Sequence, residues 1–195
     1  MKLLQTALSS LALTLAAFFV GSGSSAIQPD TPSVGAKIKL PPSYLPLTAL
    51  PDSLALVPAP PGPGSAAFGS DEAAQAAAQP FRGTPRWALA TSDANLNFPD
   101  AAATFSCAAG FAISKEGTPR LYGLLGKMLV DVGLSTYRAK DHYKRTRPFV
   151  VHKQSTCTPA EESFLRGDGS YPSGHSAAGR GWALVLAELV PSRAN

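Results

Sequence analysis

Leu121, Leu124, Leu125, Met128, Leu129 and Val132 recur every three or four residues through "TPRLYGLLGKMLVDVG". That spacing lays one apolar stripe along a helix and does not fit the period-2 alternation of a half-buried strand. Thr118 is the expected cap and Pro119 the first helical position, where a missing N–H costs nothing. Gly133 loosens the end of the pattern. No segment of strand length alternates elsewhere in the chain, so the fold class read from the residues is all-α.

Other helices follow the same signals. "GSDEAAQAAAQ" offers Ser70 as a cap, Asp71 and Glu72 in a first turn, and an alanine run that Pro80 ends. "FPDAAATFSCAAGFAI" predicts a helix opening near Pro99. A further helix is expected from about Ser135 to Thr146, stopping before Pro148, and a last one from the "PSGH" at 172–175 through "WALVLAELV". Residues 27–64 are rich in proline and end in "PAPPGPG"; they read as an extended arm, because proline fixes φ and lacks a donor. The helical domain is expected over 65–195.

The first 26 residues have a different character. Lys2 precedes an apolar run from Leu3 to Val20, and "GSGSSA" supplies small residues at the positions a signal peptidase reads. This predicts a secretory signal cleaved between Ala26 and Ile27, and hence export to the periplasm. No other segment is apolar enough to cross a bilayer, so no membrane span is expected after cleavage. Cys107 and Cys157 are an even pair in a chain bound for an oxidising compartment, which predicts a disulfide between them. The formal net charge of +4 over 195 residues suits a small anionic ligand better than a nucleic acid.

Two stretches carry chemistry. In "KDHYKRTRP" at 140–148, Lys140 and Arg147 are seven residues apart. Two helical turns return them to nearly one direction, about 10 Å apart along the axis, with Lys144 between. Taken alone, the stretch is also compatible with a solvated charge run at a helix C-terminus, where cations are favoured. In "PSGH", Ser173 can cap the next helix, Gly174 lets a ligand approach the backbone, and His175 supplies an imidazole that can give up a proton. The first N–H groups of such a helix form an anion site. A guanidinium, an ammonium and a helix N-terminus point together to an oxyanion.

"KDHYKRTRP" with "GSYPSGH" resembles the first two of three signature motifs of the type 2 phosphatidic-acid-phosphatase and vanadium-haloperoxidase superfamily. "ALPDSLAL", "GTPRWALA", "FSCAAGF", "GLSTYRAKDHYKRTRPFV", "CTPAEE" and "GDGSYPSGHSA" are similar to one branch of it, the bacterial class A non-specific acid phosphatases. The resemblance implies a helical bundle that hydrolyses small phosphomonoesters of broad range without a metal or other cofactor. It implies that Lys140, Arg147, Ser173 and the Gly174 N–H bind the phosphoryl oxygens and that His175 protonates the leaving alcohol. The oligomeric state is open, a homo-oligomer included.

The family's third motif, SR-x5-H-x3-D, would carry a nucleophilic histidine, its orienting aspartate and another arginine. It does not occur in these 195 residues. His142 points about 200° away from Lys140 around a helix, and His152 has no acidic segment near it in sequence. The chain is therefore expected to be an incomplete copy that lacks its C-terminal helices and has no turnover by itself. A secreted oxyanion-binding remnant is the alternative. Arg180 and Gly181 depart from the apolar residues expected in the last helix.

Overall fold

The computed structural model describes residues 42–194; the expected signal segment and the first part of the proline-rich arm lie outside them. In chain order the helices are α1 (Ser53–Leu56), α2 (Ala66–Ala78), α3 (Pro85–Asp93), α4 (Asp100–Ala103), α5 (Ser106–Ala109), α6 (Pro119–Ser135), α7 (Tyr137–Tyr143), α8 (Pro148–Val151), α9 (Glu162–Leu165) and α10 (Gly174–Leu189). Short 3-10 turns join several of them, and no strand occurs among the described residues. The fold is all-α.

The centre is the packing of α10 on α6. Leu125 and Leu129 of α6 meet Ala178, Trp182 and Leu186 of α10, with Ala101, Ala102, Ala109 and Ile113 completing the cluster. The apolar stripe of α6 thus does what its spacing dictates. Trp182 donates its indole N–H to the Leu125 carbonyl at 2.9 Å. Phe98 and Phe105 stand edge-on to its ring at 6.1 and 5.8 Å, contacts worth about 0.5–1.5 kcal/mol each beyond their area. Gly181 faces α6, where an added Cβ would make ordinary contact with Val132 at 3.4 Å. Arg180, next to it, is exposed rather than on the core face.

Several expected boundaries differ. α2 starts at Ala66, with Ser65 rather than Ser70 as its cap; the Ser65 hydroxyl accepts from the Phe68 N–H at 3.1 Å. Ser70 sits inside the helix and donates back to the Ala66 carbonyl. The helix expected from Pro99 is two short ones, interrupted where Phe105 turns its ring towards Trp182. α3 opens on Thr84–Pro85, the residue pair that also opens α6. Thr118 does not cap α6, because its hydroxyl exchanges hydrogen bonds with Ser114 instead.

The described part of the proline-rich arm packs on the bundle. Tyr44 and Leu45 donate backbone N–H groups to Asp131 of α6. Asp52 pairs with Arg138 at 2.7 Å. The buried Ser53 hydroxyl accepts from the Ala139 N–H in α7. The disulfide expected from cysteine parity is not formed: Cys107 and Cys157 are free thiols. α5 turns Ala109 inward and leaves Cys107 facing solvent, whereas the Cys157 segment is held by the Thr91 hydroxyl of α3 on its carbonyl. An even count in sequence does not supply the short Cα separation that a disulfide needs.

Candidate active site

α7 is shorter than the basic stretch that it begins. It ends at Tyr143, and Lys144 takes a left-handed conformation (φ 43°) while its N–H closes on the Lys140 carbonyl. Lys140 and Arg147 therefore do not share one helical face. Arg147 is extended and precedes α8, whose first residue is Pro148. The chain reversal at Lys144 does the work that two helical turns were expected to do, and both cations still converge.

They converge on the loop that leads to α10. Lys140 Nζ donates to the Gly169 carbonyl at 2.9 Å and lies 3.7 Å from Asp168 Oδ2. Arg147 donates from Nε to the Asp168 carbonyl at 2.9 Å and from Nη2 to Asp168 Oδ2 at 2.6 Å. The Lys140 side chain is only 5% exposed. Burial pushes its pKa below the ordinary lysine value, an effect that the neighbouring Asp168 carboxylate opposes and Arg147 adds to. Burial, with Asp168 and Asp141 nearby, moves the Tyr137 phenol the other way, upward.

Glycine makes this approach feasible. A Cβ on Gly169 would lie 3.0 Å from both the Lys140 side chain and the Lys140 carbonyl, so any other residue would force the loop and α7 apart by a few tenths of an ångström. Ser170 fastens it by donating its N–H and hydroxyl to the Arg145 carbonyl at 2.8 and 3.0 Å. The result is a cleft of about 180 Å³ whose walls include Lys140, Lys144, Arg147 and Arg166 with Asp141 and Asp168. Arg166 is tied to Glu162 at 3.4 Å, and Arg145 reaches away to Asp71 at 2.7 Å. An excess of basic groups around a half-enclosed cleft draws anions.

Ser173, Gly174 and His175 do not line that cleft. They form the start of α10, where Ser173 caps the helix by accepting from the Ser176 N–H at 3.2 Å. Gly174 and His175 supply its first backbone donors, which have no intrahelical partner. The His175 ring is exposed, and its Nε2 is 3.0 Å from the Ala94 carbonyl. A carbonyl only accepts, so Nε2 carries a proton in this contact. His142 is exposed and meets the Tyr143 ring edge-on at 4.9 Å. His152 does have an acidic partner, Glu72 of α2 at 3.1 Å, a pairing across the fold that sequence proximity could not reveal.

The PAP2 superfamily model matches residues 120–195, from α6 to the end. The non-specific acid phosphatase of Providencia stuartii is 39% identical over 182 residues, which cover 93% of this chain and 73% of that protein. The chain belongs to the non-specific acid phosphatase family of the PAP2 superfamily. The non-specific acid phosphatase of Salmonella typhimurium is 42% identical over 139 residues, 71% of this chain and 56% of the relative. The acid phosphatase of Zymomonas mobilis is 37% identical over 143 residues, 73% and 54%. The chain thus spans little more than half the length of these last two. Membership agrees with the resemblance read from the two motifs. Asp168 and Gly169, which the motif reading passed over, are the residues on which the two cations meet. Their signal was an acid flanked by glycines between the motifs.

Proposed function

We propose that the chain is the phosphate-binding portion of an exported acid phosphatase acting on phosphate monoesters. The observation that carries this reading is the meeting of Lys140 and Arg147 on one carboxylate oxygen. A carboxylate and a phosphoryl group present similar oxygens, and a guanidinium and an ammonium that share one can share the other. In this reading Lys140 and Arg147 neutralise the phosphoryl oxygens, and Ser173 with the Gly174 N–H donates to the same oxygens. His175 protonates the leaving alcohol as general acid, after its ring leaves the Ala94 carbonyl.

The attacking group in this mechanism is a histidine of SR-x5-H-x3-D, which forms a phosphohistidine. Residues 1–195 do not contain that motif. Without it the nucleophile is water, neither oriented nor activated, and covalent catalysis is lost. The 195-residue chain by itself is therefore a phosphate binder with background turnover. A periplasmic location follows from the N-terminal signal pattern and is part of the proposal.

The test pairs binding with turnover. Inorganic phosphate and a phosphomonoester should bind competitively, and both Lys140→Met and Arg147→Ala should weaken binding at least tenfold, since each removes a charge-assisted contact worth about 1.5–3 kcal/mol. Hydrolysis of an aryl phosphate by the 195-residue chain should stay at background between acidic and neutral pH. Binding indifferent to both substitutions would refute the cradle. Metal-independent turnover that survives His175→Ala would refute the assigned acid.

A further inference from the structure

We propose that Asp168 is a built-in competitor of the phosphoryl group, a carboxylate that occupies the Lys140–Arg147 cation pair and must swing out before an oxyanion can enter. The inference rests on the reading of Lys140 and Arg147 as phosphate ligands and names the residue that sets their affinity.

The geometry separates two roles within one loop. The orientation of the cations is fixed by backbone carbonyls: Asp168 O accepts from Arg147 Nε at 2.9 Å, and Gly169 O accepts from Lys140 Nζ at 2.9 Å and from Arg147 Nη2 at 3.4 Å. These contacts need no side chain at position 168. The carboxylate adds a charge on top of them, with Oδ2 at 2.6 Å from Arg147 and 3.7 Å from Lys140. It neutralises part of the pair at the position where a phosphoryl oxygen would make the same contacts. Its side chain is 14% exposed and lines the open cleft, so rotation about its own side-chain bonds can vacate the pair. The loop itself stays fastened by Ser170 on the Arg145 carbonyl.

A carboxylate in this place has two opposed effects. It stabilises the empty site, because a buried ammonium without an anion is costly. It also weakens anion binding, because the incoming group gains only the difference between its own contacts and those it displaces. A residue that merely supported the loop would move stability and affinity in the same direction.

The test is titration of the 195-residue chain with inorganic phosphate alongside urea unfolding. Asp168→Asn keeps the size and removes the charge. It is expected to bind phosphate about tenfold more tightly and to unfold at lower urea than the wild type. Asp168→Glu restores the charge and should return affinity towards the wild-type value. Lys140→Met serves as the control for the cradle. If it abolishes phosphate binding while folded Asp168→Asn binds no more tightly than wild type, the competitor role is wrong and the cradle stands. If neither the wild type nor Asp168→Asn binds phosphate, the cradle reading fails and takes the proposal with it. Asp168→Ser is read in the same way should the Asn variant not fold. Failure of both to fold would make Asp168 a structural residue and overturn the proposal.

Discussion

Ser53→Ala is expected to destabilise the domain well beyond the loss of one exposed hydroxyl. α7 leaves its first N–H groups without intrahelical partners, as every helix does. Thr136, which precedes it, has helical φ and ψ and provides no side-chain cap. The Ala139 N–H, one residue before Lys140, is satisfied instead from far away in sequence by the Ser53 hydroxyl at 3.1 Å. Ser53 is 7% exposed and Ala139 is fully buried, so water cannot replace the lost acceptor. A buried donor left unsatisfied costs about 1–3 kcal/mol, and a value of about 2 kcal/mol would lower the folding constant about thirtyfold. Asp52→Asn, one residue away, removes an ion pair with Arg138 whose side chains are 38% and 67% exposed; such pairs are worth about 0–1 kcal/mol. Urea unfolding followed by tryptophan fluorescence reads both, since Trp182 lies in the core. A Ser53→Ala effect below about 0.5 kcal/mol, or smaller than that of Asp52→Asn, would refute the claim that the arm caps the helix carrying Lys140.

Leu125→Ala should cost about 3–5 kcal/mol in the same unfolding measurement, because Leu125 is fully buried where α6 meets α10. Glu162 has its pKa held below the usual carboxylate range, first by the Thr156 backbone N–H and then by the Ser155 hydroxyl. Its contribution is present above the unfolded value and is lost as pH falls through the lowered one, so Glu162→Gln should lower the unfolding midpoint at neutral pH and converge with wild type in acid. Lys140 has a linkage of the same sign in a higher pH window. Its proton is held less tightly in the folded state than in the unfolded one, so its contribution to stability rises with pH between the lowered value and the ordinary 10.5. Phosphate affinity should accordingly begin to fall on the alkaline side below the ordinary lysine range. That limb should be missing in Lys140→Met, as phosphate titration across pH would show.

What could be read from the residues was what depends on near neighbours. The α6 stripe, the Ser173 cap and the all-α class follow from spacing and local hydrogen bonding, and all three stand in the structure. Local competition defeated two cap assignments: Ser65 lies one turn ahead of Ser70, and Ser114 takes the Thr118 hydroxyl. The route by which Lys140 and Arg147 converge was not legible, because a left-handed residue at Lys144 is chosen by the loop packed against it. A Cβ on Gly169 would come within 3.5 Å of the Lys144 backbone. Asp168 and the Glu72–His152 pair were missed for the same reason: each joins segments that only the tertiary fold brings together.

Whether Lys140, Arg147 and the start of α10 serve one oxyanion is decided by a crystal structure of the chain grown with orthovanadate. A single anion is expected within hydrogen-bonding distance of Lys140 Nζ, the Arg147 guanidinium and the Gly174 N–H, with the Asp168 carboxylate turned away. An anion bound elsewhere, or held at Arg147 with the Gly174 N–H on another face of the domain, would contradict it.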